Sequence, residues 1–364
     1  MTLIAAFEPE PAAPILIGDL LLSGPTGSGR PISTPLVHDP NSLRLGSTSE
    51  LVGTTQKIVL LSDQVCVAWA GNYLHARSFL RYLQTHVEGR FTCESLRKHA
   101  MSYEGPYDVE YILYSLDGRN RGVVSNLVPF EIDCLKALRV GGTGTANLIS
   151  LVPSICGNNP QGDLSDYASI GARAVAYVAM ASAQQAIGGV GIAEGWGGGF
   201  EIAALHGPRF EKLDKILWLR WILIETAPHR YTARLVSPYV YQFYVGRDVC
   251  FLVGNSDPDP TRLLVVTSPI SSTQITYDLR QLLPRELSPR YMICLVQRVG
   301  RSETNVGVIV RRQRAGFPDF KIRYAASENM TSLRIDANFF GSIVGALPEG
   351  ATLDRVEFQG FETG

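Results

Sequence analysis

Thr2-Leu-Ile-Ala-Ala-Phe7, a Glu/Pro/Ala-rich turn from Glu8 to Pro14, and Ile15-Leu-Ile-Gly-Asp19-Leu-Leu-Leu-Ser23 form the stretch on which the fold turns. Two apolar, β-rich runs about one turn apart predict an antiparallel hairpin. Its one acidic interruption, Asp19, is costly to bury without a partner and asks for a cation nearby; the plainer alternative is a turn cap. Met1 precedes a small side chain, the condition under which methionine aminopeptidases remove it. The mature chain is then expected to begin at Thr2, with a hydroxyl and a free α-amine on one residue: a nucleophile and its own base. The alternative is an ordinary second residue of an N-terminal strand.

Two further blocks follow: Thr54-Thr-Gln-Lys57-Ile-Val-Leu-Leu61 and Val65-Cys-Val-Ala-Trp-Ala-Gly71-Asn-Tyr-Leu-His-Ala-Arg-Ser-Phe-Leu80. They read as buried strands Lys57–Leu61 and Val65–Trp69 joined at Ser62–Gln64, then a helix of about four turns after Gly71. Lys57 is either the partner of Asp19 or a strand-edge lysine that discourages aggregation.

Taken together, the hairpin bearing Gly18-Asp19, a lysine opening the third strand and the Ala70-Gly71 turn into a helix resemble the N-terminal-nucleophile (Ntn) hydrolases of the proteasome β-subunit type, including the bacterial ATP-dependent HslUV peptidase. The resemblance covers about Thr2 to Leu213. It implies an α+β chain folded as a four-layer αββα sandwich, with Thr2 Oγ attacking a peptide or other amide carbonyl. Asp19 and Lys57 would flank the nucleophile, the Gly71 N–H would serve the oxyanion, and Thr143 and Glu194 would position the N-terminal amine. Ser23, Ala70 and Asn72 would lie along the substrate. Glu194 stands where the family carries Asp, and Gly197 where a second serine is common. No cofactor or metal is implied. A ring-shaped homo-oligomer and an ATP-dependent unfoldase partner are. A small-molecule amidase or acylase on the same fold, and a non-catalytic scaffold, are the rival readings.

The chemistry behind these roles is elementary. A threonine hydroxyl needs a base within hydrogen-bond reach. An α-amine with an ordinary pKa of about 7.7–8.0 keeps a useful neutral fraction, and a nearby ammonium lowers it further. Glycine at an oxyanion site lets the backbone approach the substrate closely.

With 364 residues, 45% hydrophobic, the chain is long enough for two domains, 1–213 and a β-rich 214–364. A net charge of −1 gives no electrostatic reason to expect nucleic acid. Cys66, Cys93, Cys134, Cys156, Cys250 and Cys294 show no CxxC spacing, which fits a reducing, cytoplasmic setting. No signal peptide is read. The strongest apolar run, Ile216–Ile224, is too short to span a bilayer and holds Arg220, so no membrane partner is expected. The six histidines show no metal-ligand spacing, and no GxSxG elbow occurs.

Gly24-Pro-Thr-Gly-Ser-Gly-Arg-Pro31 imitates a phosphate-binding loop but lacks its lysine and its helix. A surface loop over 24–56, inserted relative to the family, is expected instead. The spacing further predicts a helix Glu94–Met101, strands Val109–Ser115, Gly122–Ser125 and Ala137–Gly141, a turn Gly141–Gly144 and a helix Leu164–Ile187. A Gly-rich turn then leads into the strand ending at His206. Beyond it, strands are expected at Ile216–Thr226, Tyr231–Val236, Val240–Val245, Cys250–Val253, Arg262–Thr267, Tyr291–Val299, Val306–Arg312 and Lys321–Ala325. Tyr239, Tyr241, Phe243 and Tyr244 there are either a binding surface or, more commonly for such alternation, core.

Overall fold

Both alternating sets of side chains in strands β1 (Ile4–Glu8) and β2 (Ile15–Asp19) are buried, Ile4, Ala6 and Leu16 on one face and Ala5, Phe7, Ile15 and Ile17 on the other. A hairpin covered on two faces belongs at the centre of a sheet, and that is its place. The computed structural model describes residues 2–8, 14–25, 34–35, 49–105, 108–118, 120–132, 136–157, 178, 181–182, 195–254, 261–271, 286–299, 304–312, 320–325, 330–335 and 343–358. The chain is α+β, dominated by strands. It divides into two compact units, 1–213 with 266–272, and 214–265 with 273–364.

In the first unit, β1 and β2 lie at the middle of a six-stranded antiparallel sheet. Its order is β12 (Arg209–Lys212), β11 (Phe200–His206), β2, β1, β10 (Lys136–Gly141) and β9 (Phe130–Ile132). The registers Ile4↔Gly18, Ile4↔Gly141 and Asp19↔Phe200 bring the start of β1, the end of β2, the end of β10 and the start of β11 to one end of this sheet. Four strand termini thereby meet around Thr2.

A second antiparallel sheet runs β5 (Ile58–Ser62), β6 (Val65–Gly71), β7 (Val109–Asp117), β8 (Asn120–Ser125). One face, with Cys66, Ala68, Ile112 and Tyr114, shares an apolar core with Ile4, Ala6, Leu16 and Leu205 of the first sheet. The other face, with Val65, Val67, Trp69 and Leu113, lies under helices α1 (Tyr73–Val87) and α2 (Cys93–Met101). Residues Ala76, Phe79, Leu80, Leu83 and Val87 supply the helical stripe of α1, each large one contributing about 1.5–3 kcal/mol on burial.

Helix α3 (Thr145–Gly157), which the sequence reading does not foresee, lies against β10. Strands β3 (Leu21–Pro25) and β4 (Ser49–Thr54) pair with each other. The stretch 24–56 is therefore no simple loop: it starts and ends as a ribbon, and Thr55 and Gln56 are buried. Most of the Gly24–Pro31 segment lies outside the described residues, as does the expected helix Leu164–Ile187 apart from helical Val178, Ala181 and Ser182.

The second unit is built on a seven-stranded sheet: β16 (Arg262–Val266), β15 (Asp248–Gly254), β14 (Arg230–Val245), β13 (Ile216–Ala227), β18 (Tyr291–Val299) and β19 (Thr304–Arg312), with β22 (Thr352–Phe358) also on β14. The two strands expected at 231–236 and 240–245 are one long strand. Pro238 between them has no N–H to give, and there the register against β13 slips. The first half of β14 pairs with β22 and the second with β15. A three-stranded sheet, β17 (Glu286–Leu287), β20 (Phe320–Ala325) and β21 (Met330–Ile335), contributes Leu287, Ile322 and Leu333 to a core with Leu217, Leu219, Trp221, Met292 and Cys294. Tyr239, Tyr241 and Phe243 are buried in that core, so these aromatics are structural.

Candidate active site

Thr2 is fixed at every polar atom by the strand ends that converge on it. Its backbone nitrogen donates to Thr143 Oγ1 at 3.2 Å, its hydroxyl donates to Asp19 Oδ1 at 2.6 Å, and its carbonyl accepts from Gly144 N at 3.3 Å. The last contact requires the turn after β10 to lie tight against Thr2. Gly142 makes this possible: at φ +88°, an added Cβ would stand 2.0 Å from the Thr2 carbonyl oxygen. Glu110 on β7 accepts the Gly142 N–H at 2.5 Å, tying that turn to the second sheet.

Asp19 is fully buried. One carboxylate oxygen holds the Thr2 hydroxyl, and the other accepts the Gly197 N–H at 2.8 Å. Gly195, Gly197, Gly198 and Gly199 all have positive φ, the reason this turn before β11 is written in glycine. The donor here is thus the backbone of Gly197. Burial pushes the Asp19 carboxyl up to about 6, against the lowering influence of Lys57 and of the Thr2 and Gly197 donors.

Lys57 is also fully buried, between β2 and β6. Gly18 admits it: a Cβ there would meet Lys57 Cβ at 2.9 Å. Nζ lies 4.2 Å from the centre of the Trp69 ring, and no hydrogen-bond partner for it occurs among the described residues. No direct hydrogen bond joins Lys57 to Asp19. The Asp19 oxygens are taken by better-placed donors, and the two charges act on each other through space. Desolvation brings the Lys57 ammonium down to about 8, with Asp19 and Glu201 opposing that fall.

No family model matches the chain, and no curated protein matches it in sequence. The geometry alone must carry the reading.

The remaining expected residues divide by role. Gly71 ends β6, exposed, at φ +100°, with Asp108 O 2.1 Å from where a Cβ would sit; only glycine fits. Thr143 reaches Thr2 as described. Glu194 lies outside the described residues. Ala70 is buried in the core between the sheets, leaving only its backbone for a substrate. Asn72 is the N-cap of α1, its side chain accepting from Leu74 N and His75 N, a contact worth about 1 kcal/mol to the helix; its side chain is committed there. Ser23 lies half-buried on β3, paired with Leu51. Cys66, Cys93, Cys250 and Cys294 are free thiols. Among the described residues no cluster of His, Cys, Asp and Glu could hold a metal, and no helix is long and apolar enough to cross a membrane.

The charges at this site impose a pH signature. The Asp19 pKa is raised from 3.8 to about 6. The folded state thus binds this proton more tightly than the unfolded one, a contribution present in full below about pH 3.8 and lost as pH rises through 6. For Lys57, lowered from 10.5 to about 8, the contribution is present above about pH 10.5 and lost as pH falls through 8. Each is on the order of 3 kcal/mol. Urea denaturation of the full chain between pH 4 and 11 should show the first unit least stable between pH 6 and 8, with Asp19→Asn removing the acid side of that dip. A profile unchanged by Asp19→Asn would contradict this.

Proposed function

We propose that the first unit is an N-terminal-threonine amide-bond hydrolase of the proteasome-like Ntn type, acting on peptides. The observation that carries this reading is the treatment of Thr2: hydroxyl on a buried carboxylate, backbone nitrogen on a second hydroxyl, and a buried ammonium in electrostatic contact with that carboxylate. A strand residue with only a structural role calls for none of these. While Met1 is attached, the Thr2 nitrogen is an amide with no basic lone pair. Cleaving that bond releases the α-amine at the position facing Thr143.

The chemistry then follows. Thr2 Oγ forms a bond to the substrate carbonyl carbon while its proton passes to the amine. The oxyanion is received by the Gly71 N–H. The C–N bond breaks as the leaving amine takes the proton, and water cleaves the resulting ester. Asp19 fixes the rotamer of the hydroxyl, and the Lys57 ammonium keeps the amine pKa low by like-charge repulsion.

The four-layer αββα arrangement belongs to the same proposal. Supporting it are α1 and α2 on the second sheet, the core shared by the two sheets, and α3 against β10. A ring-shaped homo-oligomer and an unfoldase partner follow from the resemblance, and native mass spectrometry of the purified chain tests the ring. The decisive experiment is the intact mass of the native protein with and without an epoxyketone probe, which needs both the hydroxyl and the amine of a terminal threonine. A chain that begins at Thr2 and gains one probe mass supports the reading; a chain that begins at Thr2 and gains none overturns it. Retention of Met1 on native protein would favour the non-catalytic scaffold.

A further inference from the structure

A second buried charged cluster lies behind Lys57, unused by the chemistry above. Glu201, on β11, is fully buried among the apolar residues Phe200–Leu205 of that strand. Its Oε2 accepts the backbone N–H of Lys57 at 3.0 Å and of Ile58 at 3.4 Å, and its Oε1 pairs with Lys212 Nζ from β12. The Lys212 ammonium also donates to Ile58 O at 2.6 Å and Gln56 Oε1 at 3.4 Å. Glu201 stands opposite Gly18 in the sheet, one residue from Asp19.

We propose that Glu201 is a positioning residue for Lys57, fixing where its side chain starts and keeping its ammonium charged while Asp19 is engaged with Thr2. The inference rests on the N-terminal-threonine reading.

Two arguments carry it. The first is geometric. Lys57 precedes β5, where a chain has no sheet partner on one side to set its backbone. Its carbonyl accepts from Trp69 N at 2.9 Å, Gly18 closes over its Cβ, and Glu201 takes its N–H. The carboxylate thus completes a clamp from three strands, and without it the start of the lysine side chain is free to shift.

The second is electrostatic. An ion pair between Glu201 and Lys212 alone gains little over apolar residues of the same volume, so its placement against the Lys57 backbone is the informative feature. Five titratable groups face Lys57 and its surroundings: the Thr2 α-amine once Met1 is removed, Asp19 from β2, Glu201 from β11, Lys212 from β12 and Cys66 from β6. Cys66 stays a neutral thiol, pushed up to about 12 by burial. Both Asp19 oxygens are occupied. Glu201 is then the second anion that supports the Lys57 charge.

The test uses the full chain starting at Thr2, with lysine carrying ¹³C at Cε and the Lys57 resonance assigned by its loss in Lys57→Met. Glu201→Gln keeps an oxygen for the two N–H groups but removes the charge. It should lower the Lys57 titration midpoint by roughly one pH unit, whereas general loosening of the fold would rehydrate the ammonium and raise it. An unchanged or raised midpoint overturns the inference. Where Glu201→Gln does not fold, Lys212→Met leaves the Glu201 charge without its cation and should raise the Lys57 midpoint instead; an unchanged midpoint there overturns the inference. A wild-type chain that adds no probe overturns the threonine reading, while the NMR midpoint still decides whether Glu201 governs Lys57.

Discussion

Thr2→Ala, placed in a chain that begins at residue 2, is expected to abolish epoxyketone addition and to lower amide hydrolysis by roughly ten-thousand-fold or more, the scale on which removal of a nucleophile acts in other acyl-transfer enzymes. Alanine retains the α-amine, so the loss reports the hydroxyl alone. It also removes one of the donors to the buried Asp19 carboxylate, and an unsatisfied buried acceptor costs about 1–3 kcal/mol; stability should therefore fall by that order while activity vanishes. Thr2→Ser keeps the oxygen and the donor and should keep measurable activity. Full activity in Thr2→Ala would remove the nucleophile from the proposal. A chain locked with Met1 in place should be as inert as Thr2→Ala although it retains the hydroxyl, because the amide nitrogen cannot accept the proton.

Gly142→Ala should be among the most damaging small substitutions in the first unit. At φ +88° an L-residue carries about 1–2 kcal/mol of left-handed strain. The new Cβ would also sit 2.0 Å from the Thr2 carbonyl oxygen, backbone against backbone, with no flexible side chain to move aside. The turn has to open, and with it go the Gly144 N–H and the Thr143 hydroxyl that hold Thr2. We expect a loss of about 3 kcal/mol or more in denaturant unfolding, together with loss of probe addition. Gly207→Ala is the matched control: φ is +59° and a Cβ there meets nothing within 4 Å, so it should show the conformational strain alone. Equal destabilisation by the two would mean that the contact with Thr2 is not the cause. Thr143→Ala, which keeps the turn, should slow probe addition with little effect on stability.

The local pieces around Thr2 were legible because each obeys a short-range rule. The two continuous apolar runs announce the hairpin, the 3.6-residue stripe after Gly71 announces α1, and one carboxylate in an apolar strand announces a buried partner. Applied to Phe200-Glu-Ile-Ala-Ala-Leu-His206, that last argument also flags Glu201. Helix α3 was hidden by its composition: Leu148 to Pro153 is apolar without a clean stripe, and Pro153 reads as a break. In the second unit, Pro238 looks like the gap between two strands; that β14 runs through it depends on β15 and β22 each taking half of its edge.

The sequence by itself determined the N-terminal hairpin, helices α1 and α2 and most of the strands, and that Asp19 in an apolar strand is costly to bury without a partner. The tertiary structure decided who the partners are. Asp19 holds Thr2 and Gly197, 178 residues apart from it in the latter case, rather than hydrogen-bonding to Lys57, and Lys57 is fixed by Glu201, 144 residues away. A sequence states the cost of burying a charge, because that cost belongs to the residue. Which donor or acceptor offsets it depends on the register of strands β10, β1, β2 and β11, fixed only when the two sheets close on a common core.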